Sequence, residues 1–262
     1  MRGFSAAIFT EAIKAWKSKM LWMTMILFVF AAVMMGFLML VSKHPEIAGN
    51  SAVLSAKASF AGSATWPSFF SLLIQMALVL GMLGPGMVTI WIFGREYSDR
   101  VVKDLLALPV SREIIVISKF LIILIWSIFL LFLLYTFGIL SGLAAGLDGW
   151  SANALLKFSE AFAGSSLLTI LLCTPIAYIT SVSRGYLLPV GLLILLLIIT
   201  QFIFVGLPGI TPYFPWAVPA LYSRITGPLN PEPKLVSYLI LILTSLTGFY
   251  GTIFWWQYAD QH

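Results

Sequence analysis

Apolar and polar positions along this chain fall in long blocks. Six stretches of about 20 residues carry almost no charge, at roughly 20–41, 69–93, 114–140, 161–182, 186–205 and 235–256. A helix rises about 1.5 Å per residue, so each stretch can cross the ~30 Å hydrocarbon core of a bilayer. The pattern therefore predicts six membrane-spanning helices. The first stretch is too long for a signal-peptide core, and no small-residue cleavage site follows it, so it is expected to stay attached. Ahead of it, Phe4, Ile8, Ala12 and Trp16 recur every fourth residue, with Phe9, Ile13 and Met20 beside them. Glu11, Lys14 and Lys17 fall elsewhere on that helix. This spacing predicts an amphipathic helix over 3–19 lying in the membrane surface, apolar face down. A plain extension of the first span is the alternative.

Two spans hold helix breakers. "GMLGPGM", 81–87, sits in span two and Thr174-Pro175 in span four. A proline removes a backbone donor, and a freed carbonyl survives in a bilayer only where protein or water satisfies it. Span two is therefore expected to face protein or a cavity, with Gly84, Pro85 and Gly86 as candidate pathway-lining residues. Gln201 is a polar side chain inside span five, expected to face the bundle interior and to line the same pathway. After span five comes "VGLPGITPYFPWAVPALYSRITGPLNPEP", rich in proline yet apolar and aromatic up to Tyr222. A solvated loop would not be so apolar. The stretch 206–222 is expected to form a re-entrant segment on the outer face, with Trp216 at headgroup level.

Composition narrows the class. The chain of 262 residues is 60% hydrophobic and only 10% charged, whereas soluble domains sit near a quarter charged. An integral membrane protein of one domain, 1–262, is the expectation. Lys and Arg divide unevenly between the two sides. Arg2, Lys14, Lys17, Lys19, Arg95, Arg100, Lys103, Arg112, Lys119 and Arg184 make ten on one side, against Lys43, Lys57, Lys157, Arg224 and Lys234, five, on the other. The positive-inside bias then places both termini in the cytoplasm, in a plasma (inner) membrane. Cys173 is the only cysteine, so no intramolecular disulfide is expected.

Several chemistries lack their residues. The sequence contains no phosphate-cradling G-x-x-x-x-G-K-[ST] loop, no H-E-x-x-H, no G-x-S-x-G and no paired-cysteine motif. His44 and His262 are the only histidines, a poor basis for a metal centre. Met20, Met23, Met25, Met34, Met35 and Met39 crowd span one. Thioethers suit Cu(I), but apolar packing is the plainer reading. Nothing points to nucleic acid. No catalytic residue and no cofactor are expected on this chain.

Between spans two and three lies "FGREYSDRVVKDLLALPVSREIIVISKF", 93–120, with nine charges of both signs. Ser98 suits an N-cap and Asp99 a first helical position. Val101, Val102, Leu105, Leu106 and Leu108 then form one face and Arg100, Lys103 and Asp104 the other. Pro109 ends the helix, and Ser111 caps the next. A helix over 98–108 this short is marginal alone, so its apolar face calls for a partner's groove.

The stretch from Arg95 to Lys119 resembles the cytoplasmic loop of ABC-2-type exporter permeases. There an acidic residue ends span two, a short coupling helix follows, and a Leu-Pro-(Val/Ile)-Ser-Arg turn and a lysine enter span three. Glu96, Asp104, Pro109, Ser111, Arg112 and Lys119 match that pattern. "SRGYLLP", 183–189, and "FPWAVPALYS", 214–223, resemble the branch of bacitracin-export and lantibiotic-immunity permeases. The resemblance implies an all-α integral membrane fold of six transmembrane helices, with an N-terminal elbow helix, a cytoplasmic coupling helix and outer re-entrant helices. It implies a homodimer or a pair with a related permease, driven by a separate ATPase subunit that carries ATP and Mg. It assigns ATPase coupling to Glu96, Asp99, Val101, Lys103, Asp104, Leu105, Leu108, Pro109 and Arg112. An amphipathic peptide, antibiotic or lipid-like molecule is the cargo expected. A secondary transporter or channel working alone, or an intramembrane enzyme, are the alternatives. "LPVSRE" has no counterpart elsewhere in the chain, which weakens an inverted repeat.

Overall fold

The computed structural model describes residues 2–48, 51–60, 62–99, 111–224 and 231–258. All regular elements among them are helical. They run α1 (Arg2–Trp16), α2 (Lys19–Lys43), a 3-10 turn (Pro45–Ala48), α3 (Ala52–Phe60), α4 (Trp66–Ser98), α5 (Arg112–Ala144), α6 (Ala152–Leu171), α7 (Thr174–Ser183) and α8 (Leu187–Gly206). Two 3-10 turns (Thr211–Tyr213 and Pro215–Ala217), α9 (Val218–Tyr222) and α10 (Leu235–Tyr258) complete the order. Among the described residues the one β contact is an isolated bridge between Thr65 and Asp148.

Among the described residues six segments are long and apolar enough to cross a membrane: α2, α4, α5, α6 with α7, α8 and α10. Each overlaps one of the six expected stretches. The helices overrun those stretches, because polar residues at the ends extend them. α4 and α5 have 33 residues each, about 50 Å of helix against a ~30 Å hydrocarbon core. Their ends must stand clear of the apolar layer, and that is where Arg95, Glu96 and Arg112 lie. α3 was not expected; "AVLSAKASF" lacks a strong period.

α4 is the axis of the core. It packs on α5, α6, α7 and α2, and its buried face runs from Trp66 to Glu96. The expectation that span two faces protein is met. The break expected at Pro85 is not: α4 runs through it without interruption. One proline costs the helix a single backbone bond, and Thr89 Oγ1 donates to Pro85 O at 2.7 Å.

Span four does break. α6 stops at Leu171, and α7 restarts at Thr174 with Pro175 in its first turn, where a missing N–H costs nothing. The carbonyl of Leu171, which Pro175 would leave unbonded, accepts from Thr174 Oγ1 at 3.0 Å. The same hydroxyl lies 2.6 Å from Ser245 O of α10. Gly248 of α10 meets the Thr174-Pro175 backbone so closely that a Cβ there would overlap it.

The proline-rich stretch after α8 is compact. Thr211, Pro212, Ala217, Val218, Pro219 and Leu221 are buried, and α9 packs on α6. Trp216 is half-buried against Leu172, Val218 and Leu241, so protein covers much of a ring expected at headgroup level.

Candidate functional site

Charged side chains meet where α1, α4 and α5 converge. Lys119 of α5 is fully buried and Glu96 of α4 is 1% exposed. Lys119 Nζ lies 2.5 Å from Glu96 Oε1 and 3.3 Å from Glu11 Oε2 of α1. Arg95 adds a bond to Glu11 Oε2 at 3.0 Å. Lys14 bridges Glu11 at 2.9 Å and Glu96 at 3.4 Å. Two carboxylates and three cations thus bind three helices together. The Phe93 and Trp256 rings stand 6.0 Å from Lys119 Nζ, and the Arg95 guanidinium lies over Trp91 at 4.5 Å. Burial alone would push the Glu11 carboxyl up. Lys119, Lys14 and Arg95 outweigh it, and the group stays below its ordinary value. A charge in this setting survives because partners replace its water.

The cluster gives α1 a polar seat on the bundle. Glu11 was expected away from the packed face, yet it is 4% exposed, and α1 rests chiefly on α5. Part of its apolar face stays clear of the bundle, with Phe9 67% and Trp16 64% exposed.

Ser98 is the last residue of α4, and Asp99 is its C-cap, whose N–H bonds to Arg95 O; the α4 ladder continues one turn further than expected, and the helix expected over 98–108 lies, from Arg100 on, outside the described residues. Val101, Lys103, Asp104, Leu105, Leu108 and Pro109 lie outside the described residues. Ser111 precedes α5 in extended conformation, as an N-cap should. Arg112 donates to Trp256 O at 3.2 Å and Gln257 O at 2.9 Å, and Glu113 accepts from Gln257 Nε2. A cation there satisfies the open carbonyls of the last turn of α10. The segment 100–110 thus leaves α4 beside one anchored charge group and enters α5 beside another.

A groove of about 580 Å³ opens on the far half of the molecule, between α4, α6, α8 and the proline-rich segment. Gln75, Val79, Thr200, Gln201, Phe204 and Trp216 are among its lining residues, and none of that lining is charged. Gln201 therefore lines a cavity, but it is exposed on this chain, so the interior it was expected to face is not closed by this chain alone. Gly84, Pro85 and Gly86 are buried away from the groove. Phe28 fills the space above Gly84 and Leu193 that above Gly86. The two glycines let α2 and α8 approach α4 closely. Among the described residues no His, Cys, Asp or Glu group could hold a metal ion.

Six spanning helices, an anchored charged junction and an uncharged groove describe a multi-pass membrane protein built for transport. The chain belongs to the ABC-2 family of transporter proteins, which it matches over residues 7–200. It is also 27% identical over 190 residues to a bacitracin transport permease protein of Bacillus licheniformis, covering 72% of this chain and 89% of that one.

Proposed function

We propose that this chain is the permease subunit of an ATP-driven exporter in the plasma membrane, with both termini cytoplasmic and a separate ATPase as its motor. The observation that carries this reading is the buried cluster of Glu11, Glu96, Lys119, Arg95 and Lys14. It anchors both flanks of the 100–110 segment to the spans. A rigid frame of that kind is what a force-receiving loop needs. The amphipathic pattern over 98–108 is the coupling helix, α1 the elbow and 206–222 the outer re-entrant part. The chain as a whole is one permease domain, paired with a second copy or a related permease. ATP and Mg belong to the partner chain.

The groove suggests the cargo class. Apolar walls with the amides of Gln75 and Gln201 and the hydroxyls of Thr169 and Thr200 suit an uncharged, hydrogen-bonding part of an amphipathic molecule. The relative named for bacitracin transport points to a peptide antibiotic of that kind. Strains carrying the permease with its ATPase should survive higher bacitracin than strains lacking it. Unchanged survival would remove bacitracin as cargo.

Coupling has its own test. Val101, Leu105 and Leu108 should dock in the ATPase, and each such buried side chain is worth roughly 1.5–3 kcal/mol. Leu105→Asp should leave the permease in the membrane, cut co-purified ATPase by about tenfold or more and stop export. Lys103→Ala, at the rim where charge pairs contribute about 0–1 kcal/mol, should be mild. Equal ATPase recovery with Leu105→Asp at matched expression would refute the assignment.

A further inference from the structure

α8 is the span least held by its own chain. Only Pro189 and Leu193 of it are buried. Within its packing on α4, two contacts are especially close. A Cβ added to Gly86 would lie 2.7 Å from Leu193 Cδ2, and one added to Gly94 would lie 2.7 Å from Tyr186 Cε1. Both glycines are buried. Each missing side chain leaves a notch, and a side chain of the other helix fills it. The two helices run antiparallel, so the contacts follow in register. Gly94 to Gly86 spans about 12 Å of α4, and Tyr186 to Leu193 about 10 Å of α8. One turn beyond the second notch, at Met82 and Leu197, the two helices become walls of the groove. At the other end Tyr186 lies beside Ser98, Asp99 and Arg95, where the 100–110 segment leaves α4.

We infer that Tyr186 and Leu193 are positioning residues. Seated in the notches at Gly94 and Gly86, they bind span five to span two as one rigid unit. A displacement delivered at Ser98 and Asp99 then moves both groove walls together. This rests on the reading of the chain as an ATP-driven permease. A filled notch transmits displacement because the seated side chain cannot slide past the notch walls without losing its packing. Separation would expose two glycine backbones and uncover Leu193, one of the two buried residues of α8.

The test uses Gly86→Cys with Leu193→Cys in a Cys173→Ser background, bridged by a short bifunctional thiol reagent. The double substitution removes the bulk that fills the notch, so the pair itself introduces no clash. Inside-out vesicles carrying permease and ATPase are given labelled bacitracin, with and without ATP. Bridging should be equally complete in both conditions, and bridged vesicles should still accumulate bacitracin. Gly86→Ala alone should lower accumulation about tenfold while ATP hydrolysis continues, since one extra methyl overpacks the notch. Adding Leu193→Ala should restore much of it, which a general folding defect would not allow. Loss of transport on bridging, reversed by reductant, would overturn the rigid joint, as would bridging that drops sharply when ATP is added. If the unmodified permease moves no bacitracin, the cargo reading fails, and bridging yields with and without ATP alone decide the joint.

Discussion

Lys119 has no water to fall back on. Replacing it with Met should leave Glu96 buried without its nearest cation and Glu11 with one cation fewer, and losing one partner of such a group costs about 3–5 kcal/mol. Thermal unfolding of the detergent-solubilised chain measures this, and Lys119→Met should melt well below Lys17→Met, whose side chain is exposed. Glu11 has a pH signature. Its folded pKa is below the ordinary 4.5, so its stabilisation is fully present above 4.5 and is lost as pH falls through the lowered value. Glu11→Gln should therefore be less stable than the parent at pH 7, with the gap closing only in strong acid. A gap that closes between pH 8 and 6 would exclude the carboxylate as its source. Half of this cluster was legible in the sequence. Glu96 and Lys119 stood out because they match the acidic residue that ends span two and the lysine that enters span three in the loop pattern. Glu11 did not, because its main partner is distant in the chain and Lys14, one turn on, offered a plainer explanation.

Helices meet here through glycine. Gly248 lets α10 reach the backbone at the α6–α7 break, and backbone cannot step aside as a side chain can. Gly248→Ala should cost about 1–3 kcal/mol or more. Gly191→Ala, with nothing within 4 Å of the added carbon, should be neutral or stabilising by up to about 1 kcal/mol. Equal melting temperatures for the two variants would mean that α10 does not rely on that approach. The six spans were readable because hydrophobicity over 20 residues outweighs local detail. Glycine and proline roles were not, since one residue type marks a break, a bend or a close contact according to its neighbour. Pro175 interrupts its helix and Pro85 does not, and only the packing around each separates them.

The whole molecule has two ends, and labelling decides which faces the cytoplasm. With Cys173 replaced, a cysteine at Asp99 should resist an impermeant thiol reagent added to intact cells and react after permeabilisation. Labelling from outside would invert the proposed topology. The composition identified a membrane protein, and the 93–120 pattern identified its family. The groove required the fold, because its walls come from four separated segments. The three-helix charge cluster also sets an order of assembly. α1 packs chiefly on α5, and Lys119 is made 108 residues after Glu11. At about 5–20 residues per second, α1 leaves the ribosome several seconds or more before its seat exists. During that interval Phe9 and Trp16, which stay exposed in the finished fold, are the side chains able to hold it at the lipid surface. A nascent chain arrested before span three should leave α1 open to protease, and one arrested after it should not.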